Sequence, residues 1–117
     1  MHETTIAGRL LEQVTSICAA NSLDGAVIIH LEVGVMSGVE SRLLEIAFER
    51  LVSDTNLSGS GLAITKVPLT GACDHCDTTV EIRDFNFRCP HCREPLRVRT
   101  GEELRLVSIT TTEGITP

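Results

Sequence analysis

The sequence is poor in aromatic residues: three Phe, no Trp and no Tyr. The core must therefore be aliphatic, and the stacking platforms that hold single-stranded nucleic acid are nearly absent. Lysine is almost missing as well, with Lys66 alone beside nine Arg. Ten basic residues against sixteen acidic ones leave a net charge of −6, which argues against a nucleic-acid backbone as partner. No run of about 18 apolar residues exists, so no membrane span is expected. The start, Met1-His2-Glu3-Thr4-Thr5, has neither a basic nor an apolar leader region, and the expected compartment is the cytoplasm. There is no phosphate loop, because Gly59-Ser60-Gly61 lacks the Lys and the helical context. No Ser or Cys nucleophile has a plausible His and acid nearby in sequence, and intrinsic catalysis is not expected.

What remains is ordinary globular material. The chain has 117 residues, 42% hydrophobic and 22% charged. That suits one domain, or one domain with a small module. Residues 3–21 carry Ile6, Ala7, Leu10, Leu11, Val14, Ile17 and Cys18 at helical spacing. Cys18 lies on that apolar face and reads as a core residue. Residues 26–35 are rich in β-branched side chains and read as a strand, with His30 a half-exposed strand residue. Ser37-Gly38-Val39-Glu40 matches a capping box. It opens a helix to Val52, whose pairs Leu43/Leu44, Ala47/Phe48 and Leu51/Val52 recur every four residues. Residues 62–69 read as a second strand, ending near Pro68. Strand, helix and strand make a βαβ unit with parallel strands.

The character changes at Gly71. Residues 73–99 hold four of the five Cys and five of the nine Arg. After Gly101, Leu104, Leu106, Val107 and Ile109 form a final strand, and residues beyond Thr110 read as a frayed tail. The expected fold is α+β: a small mixed three-stranded sheet with two helices and an inserted zinc-ribbon module. Residues 1–70 with 101–117 form one domain and 71–100 the insertion, with Gly71 and Gly101 as candidate hinges.

The most specific chemistry is Cys73-Asp74-His75-Cys76, twelve residues, then Cys89-Pro90-His91-Cys92. Two CxxC knuckles at hairpin spacing can close a tetrahedral shell of thiolates, and Zn²⁺ in a structural role is the expected occupant. A redox dithiol or an iron–sulfur cluster are the competing occupants; a redox CxxC normally opens a helix. Between the knuckles, Val80, Ile82, Phe85 and Phe87 can form a small hairpin with little core of its own, so metal binding and local folding are expected to be one event. His75 and His91 read as exposed loop residues, with replacement of a Cys ligand as the alternative. At the other end, the α-amine of Met1 with the amide and imidazole of His2 can chelate one cation. Glu3 adds a donor, and such a nitrogen-rich set suits Ni²⁺ or Cu²⁺. The alternative is an ordinary frayed terminus.

Several residues in order resemble the HypA/HybF family of nickel metallochaperones for [NiFe]-hydrogenase maturation. They are Met1-His2-Glu3, Leu31-Glu32-Val33-Gly34, Ser37-Gly38-Val39-Glu40, Ala47-Phe48-Glu49, both CxxC knuckles, and Gly101-Glu102-Glu103-Leu104. The resemblance spans essentially the whole chain. It implies Ni²⁺ as transient cargo on His2 and Glu3, with Glu40 as a possible further contact where many members have Asp. It implies structural Zn²⁺ on Cys73, Cys76, Cys89 and Cys92. It also implies a HypB-type GTPase and a hydrogenase large subunit as partners, with no nucleic acid and no membrane. The alternative function is a zinc-ribbon interaction adaptor without a nickel role.

Overall fold

A computed structural model describes the backbone of residues 2–112 and the side chains of residues 3–112. Helix α1 (His2–Ala20) buries Ala7, Leu10, Val14 and Cys18 along one stripe, so the helical spacing read from the sequence is the packing face. It stops where Asn21 Nδ2 donates to the carbonyl of Ile17 and Leu23 N returns to the carbonyl of Cys18. Strand β1 (Val27–Gly34) alternates as far as Val33: Val27, Ile29, Leu31 and Val33 are buried, while Ile28, His30 and Glu32 face the other side. Helix α2 (Ser41–Val52) buries Leu44, Phe48 and Val52 at four-residue intervals. Strand β2 (Gly61–Val67) pairs parallel with β1, as the βαβ pattern predicts, and β6 (Leu104–Thr111) pairs antiparallel on β1's other side. The mixed sheet has the order β2-β1-β6, with both helices packed on one face of it.

The second sheet lies in sequence between β2 and β6. Strand β3 (Thr70–Cys73) is flanked by β4 (Thr78–Glu81) and β5 (Arg97–Thr100), both antiparallel to it. Leu69, Ala72 and Ile82 are buried there.

Two expectations change. Helix α2 is capped by Glu40 rather than Ser37: the Glu40 side chain accepts from Arg42 N, and Ser37 Oγ accepts from Val39 N in a turn before the helix. Residue three after the true cap is Leu43, which cannot reach back as a capping-box glutamate would. Thr111, assigned to the tail, belongs to β6 opposite Val27; residues 113–117 lie outside the described ones. In the ribbon, Phe85 is 72% exposed, in keeping with a hairpin that has little core.

The two sheets meet at a backbone junction. Gly34 N donates to Glu103 O at 2.8 Å, Met36 N to Gly101 O at 2.7 Å, and Val35 N to Val67 O at 3.0 Å. A Cβ on Gly34 would collide with the Gly101 carbonyl, and one on Gly101, at φ +109, would collide with Leu69 Cα. Glycine is needed at both positions for close approach, and at Gly101 also for its positive φ. Gly71 is less confined: an added Cβ would lie 2.9 Å from side-chain atoms of Ile82 and Leu96.

Candidate metal centre

The sulfur atoms of Cys73, Cys76, Cys89 and Cys92 all lie within 4.8 Å of one another. Two pairs span 3.5 Å (Cys73–Cys92) and 4.0 Å (Cys76–Cys89). A tetrahedral ion with Zn–S bonds of about 2.3 Å separates its sulfurs by roughly 3.8 Å, so the shell is preformed for one ion. It is too tight to enclose several irons, and all five Cys are free thiols rather than disulfides.

Local backbone chemistry builds each knuckle. Cys73 ends β3, and the turn after it returns Cys76 N to Cys73 Sγ at 3.3 Å. Asp77 supplies the positive φ that reverses the chain into β4. In the second knuckle Arg93 N donates to Cys89 O and Cys89 N to Glu94 O, with Arg93 at φ +68. Leu96 N donates to Phe87 O, closing the loop beneath. Cys73 and Cys89 are buried, Cys76 and Cys92 half-buried.

The electrostatics suit a bound cation. The backbone N–H groups of Cys92 and His91 point at the Cys89 sulfur and hold its thiol down to about 6. Cys76 moves the other way, up to about 12, because its hydrogen bond to Cys92 and then its burial favour the protonated form. Four sulfurs this close cannot all ionise without a counter-charge, and a divalent ion supplies it. Outside the shell, Arg97 pairs with Asp74 at 2.9 Å and holds that carboxyl below its usual range. His75 and His91 are exposed, as expected of loop residues.

The N-terminal candidates fall partly outside the described residues. Helix α1 begins at His2, but Met1 and the His2 side chain lie outside them. Glu3 is described, and its Oε2 accepts from Glu40 N at 3.1 Å. That bond crosses 37 residues and sets the first turn of α1 against the start of α2. The N–H of Glu40, then the Glu3 amide itself, hold the Glu3 carboxyl below the usual range. In an ordinary capping box this cap N–H would be met within its own helix; here the first helix meets it. The sequence could not show the pairing by spacing. Also unforeseen is Ser41, whose Oγ is buried with no hydrogen-bond partner among the described residues. His30 is half-buried, its Nε2 3.0 Å from Thr110 Oγ1.

Residues 1–111 match a family model described as hydrogenase/urease nickel incorporation, metallochaperone, hypA. The chain is 36% identical over 111 residues to the hydrogenase maturation factor HypA of Roseiflexus sp. (strain RS-1), covering 93% of this chain and 90% of that one. It is 35% identical over 108 residues to the factor of the same name from Geobacter sulfurreducens, covering 91% and 94%. The fold is shared with the solution structure of the Ni metallochaperone HypA from Helicobacter pylori. There the TM-score is 0.65 at 18% identity, over 93% of this chain and 96% of that one. It is shared also with a solution structure of HypA protein, with a TM-score of 0.74 at 19% identity over 95% and 96%.

Proposed function

The chain belongs to the HypA family of hydrogenase/urease nickel-incorporation metallochaperones, and from that premise we propose that it loads Ni²⁺ at its N-terminus and delivers it to [NiFe]-hydrogenase. His2 and Glu3 hold the cargo, with Glu40 beside them. A HypB-type GTPase assists, and the hydrogenase large subunit receives the metal. Any turnover belongs to that GTPase. Cys73, Cys76, Cys89 and Cys92 hold a resident Zn²⁺, which orders residues 71–100. Residues 1–70 with 101–117 carry the nickel site.

The observation that supports the nickel site best is the hydrogen bond from Glu40 N to Glu3 Oε2. It sets the Glu3 carboxylate, in the first turn of the helix that begins at His2, against the backbone of Glu40. Carboxylate and imidazole donors near a chain end suit a transient cargo, because protonation or a competing ligand can dismantle them. The four-thiolate shell suits the opposite role: its donor count leaves no vacant position, and two of its sulfurs are buried.

The test is delivery. In a strain lacking this gene, wild-type protein should restore hydrogenase activity at trace nickel, and His2→Ala should not. Equal restoration by His2→Ala would refute the proposed role of the terminus.

A further inference from the structure

The two edges of the first sheet are built differently. The strand order β2-β1-β6 leaves the outer edges of β2 and β6 without a partner strand among the described residues. The β2 edge carries Lys66, the single lysine of the chain, and Pro68 follows directly. Lysine and proline are the usual means of blocking an edge. Strand β6 has neither along its eight residues. Its one charge, Arg105, is held at 2.9 Å by Glu32 of the neighbouring strand. A bulge opposite His30 and Leu31 interrupts the ladder, yet Val107 within it is 49% exposed. A long edge with free N–H and C=O groups and no blocking residue is a template for another strand.

The surface beside this edge is uncharged. A groove of about 750 Å³ runs between Gln13, Ile17 and Asn21 of α1 and Leu106, Val107 and Ile109 of β6, and none of its lining residues carries a charge. The sequence shows how far this extends: Gln13 to Leu23 is eleven residues without a charge, and Leu106 to Thr112 is seven. In a chain that is 22% charged, the fold brings these two stretches side by side. Ala19 and Ala20 are exposed at the end of α1, where no long side chain holds a neighbour off. Ile17, Leu106 and Ile109 are only half-buried. Aliphatic side chains left half-open and cleared of charge have the composition of an interface centre.

We propose that a second copy of this chain occupies this face, the two β6 strands pairing antiparallel along their open edges. The occupant must offer a strand edge beside an uncharged surface. Strand β6 with the adjoining half of α1 offers both, and two-fold symmetry makes the contact self-complementary. The sheet then continues through both copies in the order β2-β1-β6-β6-β1-β2. Both helices pack on one face of the sheet. A two-fold axis normal to the sheet therefore brings the two α1 helices together and closes both grooves. Antiparallel pairing puts the two Arg105 residues at opposite ends of the strand pair, so like charges do not face each other. The contact uses the C-terminal half of α1 and leaves the helix start at His2 outside it.

The test is the mass of the zinc-loaded protein in solution, by sedimentation equilibrium from micromolar to millimolar concentration. It compares wild type, Val107→Lys, Gln13→Arg and Val35→Lys. Val35 is as apolar and as exposed as Val107, at 54%, but does not line the groove. Wild type should dimerise. Its dissociation constant should rise about thirtyfold or more in Val107→Lys and in Gln13→Arg, and stay unchanged in Val35→Lys. If Val107→Lys loses its fold, Gln13→Arg decides alone, since it changes an exposed helix position away from the strand. Amide exchange in residues 104–111 of wild type should slow as concentration rises. Wild type that stays monomeric at millimolar concentration would overturn the proposal. So would a dimer that survives both groove variants, or one without added protection in β6. A form ending at Thr112 that dimerises while the 117-residue protein does not would give the edge to residues 113–117 and overturn it equally.

Discussion

Gly34→Ala should be far more damaging than a one-methyl change on a strand end suggests. The new Cβ would be driven into the carbonyl of Gly101 and within 2.8 Å of Glu102 N. Heavy atoms in ordinary contact sit about 3.5 Å or more apart, so the two backbones must separate by roughly 1 Å. That separation strains two hydrogen bonds, Gly34 N to Glu103 O and Met36 N to Gly101 O. Overpacking of this kind costs about 1–3 kcal/mol, and each backbone hydrogen bond lost adds about 1 kcal/mol. The expected loss is therefore about 2–5 kcal/mol, a large share of a typical domain stability of about 5–15 kcal/mol. For a chain this size it lowers the melting temperature by roughly 6–20 °C. The assay is thermal and urea unfolding of zinc-loaded protein by circular dichroism. Gly8→Ala is the control: it lies inside α1 with no atom within 4 Å of the added Cβ. It should gain about 0.5–1 kcal/mol, because Ala loses less chain entropy than Gly in a helix. A Gly34→Ala protein within about 1 kcal/mol of wild type would refute the junction as described.

Phe48→Ala should cost about 3–5 kcal/mol, since Phe48 is fully buried between the helices and sheet, and denaturant midpoints measure it. Glu40→Ala removes the α2 cap that accepts from Arg42 N and should cost about 1 kcal/mol in the same assay. Removing zinc with a strong chelator, or making Cys73→Ser, should abolish amide-exchange protection in β3–β5 while the helical signal of α1 and α2 persists. A chelated protein that kept ribbon protection would show that the metal does not order this sheet.

Much of this architecture was legible in the sequence, for identifiable reasons. The apolar spacing of Ala7, Leu10, Val14 and Cys18, and of Leu44, Phe48 and Val52, is the buried stripe of each helix. The CxxC spacing named the four sulfurs that meet within 4.8 Å. The misreadings arose where distant residues or backbone geometry decide. Ser37 and Glu40 fit a capping box, but the Glu40 N–H is met by Glu3 from another helix. Thr111 looks like a tail residue because its polarity hides its pairing with Val27. The close approach of Gly34 to Gly101 was not legible either, because a sequence does not show which backbones touch.

The central claim is a labile nickel site at the terminus beside a permanent zinc site. Calorimetric titration of Ni²⁺ into tag-free protein tests it most directly, comparing wild type, His2→Ala and a form extended by two residues before Met1. Zinc content is measured on each sample. The account predicts that both variants lose nickel binding and that all three proteins keep about one zinc per chain. Unchanged nickel binding in His2→Ala and in the extended form would contradict it.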